Sequence, residues 1–126
     1  ADKIKDYLPQ LIKRATSEGL NLLWICDPMH GNTYKTETGY KTRHFNTILK
    51  EIQQFFVIHH ELGTIPGGVH FELTGDNVTE CLGGAQEISD SDLKEHYETA
   101  CDPRLNNEQG LELAFLITEL LRKEKA

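Results

Sequence analysis

Four side chains stand where predicted strands end, and their types are those that bind divalent metal ions. Asp27 and His30 follow the first strand, Glu72 lies near the end of the second, and Asp102 follows the third. Ligands of α/β sheets and barrels bind at the carboxyl ends of the strands, so we expect convergence there. An imidazole and two carboxylates suit Mn²⁺, Co²⁺, Fe²⁺ or Zn²⁺. His30, Glu72 and Asp102 are therefore a candidate metal centre, with solvated polar residues and turn formers as the alternative.

Basic residues lie in loops on the same presumed face of the sheet. Lys35, Lys41, Arg43 and Arg104 could hold phosphate or carboxylate groups, arginine through two parallel hydrogen bonds and lysine as a point charge. Solvated charge on a loop is the equal alternative for each of them.

Helical periodicity predicts the elements between these loops. Apolar residues at helical spacing predict one helix over residues 2–17 and another over 44–62, which Gly63 ends. Asn106, with Gln109 three residues later, caps a final helix. Seven residues of that helix are expected to be buried: Leu111, Ala114, Phe115, Leu116, Thr118, Leu120 and Leu121.

Three strands are predicted between the helices. The apolar run 22–26 predicts a strand covered on both faces, and the alternation over 69–73 predicts a second strand. Residues 97–101 are a weaker third candidate. Residues 27–42 are aperiodic and predict a long loop, and a short capped helical turn is expected from Ser89.

The element order predicts an α/β architecture with parallel strands that is incomplete by itself. Three parallel strands with one helix layer leave both sheet edges unpaired. The 126 residues are about half of a (β/α)8 barrel of roughly 250 residues.

Composition excludes several classes of protein. The net charge of −7, from 13 basic and 20 acidic residues, opposes nucleic-acid binding. The sequence has neither a membrane-spanning apolar run nor a signal peptide, which predicts no membrane association and a cytoplasmic location. Three widely spaced cysteines without a CxxC motif predict neither a disulfide scaffold nor a zinc ribbon.

Long motifs in the sequence resemble the C-terminal part of the class II 3-deoxy-D-arabino-heptulosonate 7-phosphate (DAHP) synthases. They are residues 24–33 (WICDPMHGNT), 41–43 (KTR), 67–84 (GGVHFELTG running into VTECLGG) and 101–106 (CDPRLN). The resemblance covers essentially the whole chain. It implies that residues 1–126 are the C-terminal part, about three βα units, of a single (β/α)8 TIM-barrel catalytic domain.

The resemblance also implies roles for particular residues. The family's metal ligands match His30, Glu72 and Asp102, the same three residues that the predicted topology selects. Lys41 resembles a lysine on the erythrose 4-phosphate side, and Asp27 could orient a ligand or a water. The family's fourth ligand is a cysteine from the N-terminal part, to which none of Cys26, Cys81 and Cys101 corresponds. The family's phosphoenolpyruvate-binding arginines and lysine are also absent from this chain.

The implied function is the first step of the shikimate pathway, which leads to aromatic amino acids. Phosphoenolpyruvate condenses with erythrose 4-phosphate, assisted by a divalent metal, to give DAHP and phosphate. Expected partners are the two substrates, the missing N-terminal half of the barrel and further copies in a homo-oligomer; a plant source would place the enzyme in plastids. The chain alone is expected to be inactive.

Two alternatives stay open. The chain could be a folded, non-catalytic module that self-associates or binds a complementary N-terminal chain. Another metal-dependent barrel enzyme, such as a hydrolase or an aldolase, is the more remote one, because the motifs match so extensively.

Overall fold

The computed structural model of the chain describes residues 1–125. These residues contain three α-helices, four short strands and two 3₁₀ helices. In chain order the elements are α1 (Ile4–Ser17), β1 (Trp24–Cys26), a 3₁₀ helix (His30–Asn32), β2 (Tyr34–Lys35), β3 (Lys41–Thr42), α2 (Phe45–Leu62), β4 (Pro66–Val69), a 3₁₀ helix (Asp90–Glu95) and α3 (Asn107–Lys125). The predicted α/β class is confirmed.

Strands β1 and β4 pair in parallel, and α2 connects them. Cys26 lies opposite Val69, and a hydrogen bond of 2.8 Å from the His70 amide to the Cys26 carbonyl extends the pairing by one step. The predicted parallel arrangement of the first two strands is therefore confirmed.

The second strand lies earlier in the chain than its predicted span of 69–73. The paired residues are Pro66–Val69, because the two glycines let the backbones approach closely. A Cβ atom on Gly67 would lie 2.6 Å from the carbonyl oxygen of Trp24. Side-chain alternation alone does not reveal such a backbone-only contact.

The third predicted strand, residues 97–101, is wrong. The amides of Glu98 and Thr99 donate to the carboxylate of Glu80 and so do not pair with a neighbouring strand. The parallel bridge that adjoins the second strand forms later, between Leu73 and Leu105. Asp102 therefore precedes this bridge and does not follow a strand.

The loop over residues 27–42 contains more structure than its composition predicts. Strands β2 and β3 form a small antiparallel hairpin, with Tyr34 opposite Thr42 and Lys35 opposite Lys41. This hairpin brings Lys41 back toward the end of β1, where the candidate metal centre lies.

Helix α2 forms the centre of the core. Ile48 and Ile52 are fully buried, and Phe55 and Phe56 pack in the same cluster. α1 and α3 both pack against α2, and β4 contacts it as well. Gly63 ends α2 with φ +67°, a left-handed conformation that glycine adopts without a steric penalty, so the predicted helix end is confirmed.

Helix α3 begins as predicted, but none of the seven residues expected to be buried is buried in the described part of the chain. The side chain of Asn106 accepts from the Gln109 amide at 2.8 Å, and Gln109 accepts from the Asn106 amide at 3.0 Å. Leu113 is fully buried, whereas Leu111 and Phe115 are 60% and 66% exposed. Within the part of the chain described, α3 packs mainly on α2, so its outer face is uncovered.

The first strand is likewise covered on one face only. Trp24 and Cys26 pack toward the core, while Leu23 is 77% exposed and Ile25 51% exposed. The prediction of a strand buried on both faces is wrong for this chain, because no layer among residues 1–125 covers the second face.

Candidate metal centre

His30 is held by the turn that follows β1. Asp27 Oδ1 accepts the amides of Met29 at 3.0 Å and His30 at 3.2 Å, which forms the turn. The other oxygen, Oδ2, lies 2.7 Å from His30 Nδ1. A carboxylate on Nδ1 keeps the proton on that nitrogen and leaves Nε2 free as a ligand atom.

Glu72 and Asp102 lie beside that free nitrogen. His30 Nε2 is 3.2 Å from Glu72 Oε1 and 3.9 Å from Asp102 Oδ2. One ligand atom from each of the three side chains lies within 4.8 Å of the others. The structure thus brings together the three residues that the sequence selects, and His30 stays half exposed, which leaves the cluster accessible.

Two basic side chains contact the carboxylates of the cluster. Lys41 Nζ donates to Asp102 Oδ1, and Arg43 Nη1 donates to Glu72 Oε2 at 2.5 Å. Lys41 is half exposed and open to an anionic ligand, whereas Arg43 is fully buried. The hypothesis that Arg43 holds a substrate phosphate is therefore wrong, because its guanidinium is enclosed by protein.

These contacts shift the pKa values of the cluster. The hydrogen bond to Asp27 raises the pKa of His30, and the hydrogen bond from Lys41 lowers the pKa of Asp102 and raises that of Lys41. Burial alone would raise the pKa of Asp27, but the amides of Met29 and His30 and the imidazole lower it on balance. The lowered pKa values keep Asp27 and Asp102 as anions, the form that binds cations.

Glu80 is a functional candidate that the sequence does not reveal. Its side chain is fully buried and accepts from the amides of Glu98, Thr99 and Arg104 and from the Arg104 guanidinium, at 2.9 to 3.1 Å. These bonds fix the loop that carries Asp102. In the sequence Glu80 is only the acidic residue of the motif VTECLGG, which does not identify it as a buried anchor.

Two of the cysteines are buried and lie outside the candidate ligand group. Burial raises the pKa values of Cys26 and Cys81 to about 12, so both thiols stay protonated. Cys101 is exposed, and the metal-ligand group found among residues 1–125 contains no cysteine. The cavity beside α1, of about 1010 Å³, is a separate feature, because none of His30, Glu72 and Asp102 lines it.

The fold and the cluster define an α/β protein with a candidate metal centre near the carboxyl ends of parallel strands. A family model described as the class-II DAHP synthetase family matches residues 1–118. The chain belongs to the class-II DAHP synthetase family, so the resemblance seen in its motifs is confirmed.

Known relatives agree with this assignment. The chain is 63% identical over 121 residues to the phospho-2-dehydro-3-deoxyheptonate aldolase AroG of Mycolicibacterium smegmatis, covering 96% of this chain and 26% of that protein. A Streptomyces coelicolor protein named phospho-2-dehydro-3-deoxyheptonate aldolase is 56% identical over 124 residues, covering 98% of this chain and 28% of that protein. A Streptomyces lividans protein, also so named, is 55% identical over 124 residues, covering 98% and 84%. The chain thus spans about a quarter of the length of the first two relatives.

None of the helices within residues 1–125 combines the length and the apolarity that a membrane crossing requires.

Proposed function

We propose that this chain is the metal-binding part of a DAHP synthase. The reaction joins C3 of phosphoenolpyruvate to the aldehyde carbon of erythrose 4-phosphate; water adds at C2 and phosphate leaves. The observation that carries the proposal is the convergence of His30, Glu72 and Asp102 in a chain of this family.

The donor set fits a divalent cation. His30 Nε2, Glu72 Oε1 and Asp102 Oδ2 would hold it, and nitrogen with carboxylate oxygen suits Mn²⁺, Co²⁺, Fe²⁺ or Zn²⁺. A bound cation of this kind supplies Lewis-acid polarisation of the substrate carbonyl. Asp27 orients the imidazole, and Lys41 offers a positive charge beside Asp102 for an anionic substrate.

The same chain supports a partial-barrel proposal. We infer that residues 1–126 supply about three βα units of a (β/α)8 barrel. The β1–α2–β4 unit and the later parallel bridge from Leu73 to Leu105 have the required chain order. The uncovered side chains of Leu23, Ile25 and Ile65 are the surface against which the rest of the barrel, in the missing N-terminal half, would pack.

Substitution of the ligands in the full-length enzyme tests the metal assignment. His30→Ala, Glu72→Gln and Asp102→Asn should each lower bound Mn²⁺, measured by elemental analysis after dialysis, together with DAHP formation. His96→Ala, an exposed histidine bonded to Glu98, is the control and should retain its metal. Unchanged metal content in any ligand variant would remove that residue from the set.

A complementation assay tests the need for the rest of the protein. The 126-residue chain, supplied with both substrates and Mn²⁺, should form no DAHP, and mixing with the remaining part of the enzyme should restore turnover. Turnover by the chain alone would contradict the proposal. Stable self-association of the chain, with no turnover either alone or after mixing with the rest of the enzyme, would favour the alternative of a non-catalytic module. The exposed apolar side chains also permit that alternative.

Assembly of the whole enzyme into a homo-oligomer stays a prediction, which light scattering of the full-length protein would test.

A further inference from the structure

Arg43 is a fully buried cation that contacts Glu72, one of the three candidate ligands. Its Nη1 donates to Glu72 Oε2 at 2.5 Å and to the Pro103 carbonyl at 2.6 Å. Its Nε donates to Thr33 Oγ1 at 2.7 Å. One side chain thus contacts a candidate ligand directly and reaches two further segments of the chain.

Those two segments are the ones that carry the other candidate ligands. Pro103 directly follows Asp102, so the hydrogen bond to its carbonyl restrains the backbone next to that carboxylate. The Thr33 hydroxyl, which accepts from Arg43, donates in turn to the Met29 carbonyl at 3.1 Å, one residue before His30. Arg43 is therefore a shared anchor of all three ligand positions.

The contact with Arg43 also gives the two carboxylate oxygens of Glu72 different neighbours. Oε2 accepts from the guanidinium, while Oε1 lies 3.2 Å from His30 Nε2. A carboxylate clamped through one oxygen cannot rotate freely, so the other oxygen faces the cluster.

Stability alone is a poor explanation for this arginine. Its Nη2 is buried and has no hydrogen-bond acceptor among the described residues. A buried donor without a partner is unfavourable, and apolar residues of similar volume often stabilise a core at least as well as a buried ion pair. The arrangement is explained better by the geometry that it imposes on the ligands.

We propose that Arg43 is a positioning residue that sets the spacing of His30, Glu72 and Asp102 and leaves Glu72 Oε1 as the oxygen presented to a cation. This inference rests on the proposed function, because it requires that the cluster bind a metal. It assigns Arg43 no contact with substrate.

Arg43→Lys in the full-length enzyme tests the proposal, because lysine keeps the charge but cannot make the three bonds of the guanidinium. The Kd for Mn²⁺, measured by chelator competition, should rise by about 10- to 100-fold. His59→Gln is the matched control: His59 is also fully buried and bonds the Thr64 hydroxyl at 2.7 Å from the far end of α2. It should lower the melting temperature with little change in the Kd.

The outcomes distinguish the positioning role of Arg43 from the proposed metal centre itself. An Arg43→Lys enzyme that melts earlier but binds Mn²⁺ as tightly as the wild type would overturn the positioning role. Should that variant fail to fold, Thr33→Val decides the question: it removes the link to the His30 turn and should weaken Mn²⁺ binding several-fold, and unchanged binding would overturn the proposal. If His30→Ala binds Mn²⁺ as the wild type does, the metal centre itself is wrongly placed.

Discussion

Asp27 uses its two carboxylate oxygens for two different purposes. Oδ1 accepts two backbone amides and forms the turn after β1, while Oδ2 lies against His30 Nδ1. The same residue therefore sets the backbone position of the histidine and the tautomer of its ring. Both effects favour Nε2 as the atom available to a cation.

Asp27→Asn should weaken Mn²⁺ binding of the full-length enzyme by about 10- to 100-fold. The amide nitrogen of asparagine would have to face either His30 Nδ1 or the two turn amides, because both carboxylate oxygens are acceptors. One orientation favours the wrong tautomer and the other breaks the turn. The Kd for Mn²⁺ measures the effect.

Asp92→Asn is the matched control for that substitution. Asp92 Oδ2 also accepts a backbone amide, that of Ser89 at 2.9 Å, but it caps the second 3₁₀ helix. The Kd of the Asp92→Asn enzyme for Mn²⁺ should equal that of the wild type. An equal loss in both variants would mean that the effect of Asp27 is not specific to the cluster.

Lys41→Ala should raise the KM for erythrose 4-phosphate by about tenfold, the effect of losing one charge-assisted hydrogen bond of about 1.5 kcal/mol. Lys41 is half exposed, and its ammonium lies at Asp102, so it can also reach an anionic substrate at the cluster. Steady-state kinetics with each substrate varied in turn measure the effect. Lys50→Ala, at an exposed lysine of α2 that pairs with Asp2, is the control, and an effect confined to phosphoenolpyruvate would place Lys41 elsewhere in the site.

At the scale of elements, the segment carrying Asp102 is ordered by a buried carboxylate and not by sheet pairing. Glu80 accepts three backbone amides and two guanidinium donors through both of its oxygens. Burial alone would raise the pKa of Glu80, but the Arg104 guanidinium and the amides of Arg104 and Glu98 lower it on balance. Glu80 is thus the anchor for residues that form no strand.

Glu80→Gln should destabilise the enzyme by about 3 kcal/mol, because a buried partner of Arg104 loses its charge and one acceptor oxygen becomes a donor. Chemical denaturation measures this cost, and faster trypsin cleavage at Arg104 would show that the loop has loosened. Glu98→Gln, at an exposed carboxylate that pairs with His96, is the control and should change stability by less than about 0.5 kcal/mol.

The pH dependence of stability follows from the lowered pKa of Glu80. Its contribution is complete above the ordinary glutamate pKa of about 4.3 and is lost as the pH falls through the lower pKa of the folded state. The wild type should therefore lose more stability than Glu80→Gln when acidified below about pH 4.3. Parallel stability profiles of the two proteins would contradict this.

At the scale of the whole molecule, the chain leaves apolar side chains uncovered on several elements. Ile65 is 81% exposed, Leu23 77% and Phe115 66%. Apolar surface of this kind is typical of faces that another part of a protein covers. It agrees with a chain that spans about a quarter of the length of its relatives from M. smegmatis and S. coelicolor.

Ile65→Ser should cost about 2 kcal/mol in the full-length enzyme, where we expect the side chain to be buried. In the isolated chain the same substitution should change stability by less than about 0.5 kcal/mol, because the side chain is exposed there. Denaturation curves of both forms give the comparison. Glu61→Ser, at an exposed position of α2, is the control, and equal small effects in both forms would mean that Ile65 stays uncovered.

The sequence alone determined the helices, their caps and the three residues that converge. Helical periodicity and caps such as Asn106 with Gln109 depend on neighbours within a few residues, so local rules suffice. The rule that parallel strands end at one edge selected His30 and Glu72 as candidate ligands, and the long motifs identified the family, so neither result needed a knowledge of the packing. The same rule selected Asp102 from a third strand, residues 97–101, that does not form.

Tertiary structure alone decided which charged residues are buried and which strands pair. Glu80 bonds Arg104, 24 residues away, and Arg43 bonds Pro103, 60 residues away. Residues 97–101 carry a weak strand signal, but Glu80 takes two of their amides. Such outcomes depend on which distant group comes within hydrogen-bonding distance when the chain folds. A buried charge is stable only beside such a partner, and no window of neighbouring residues contains that information.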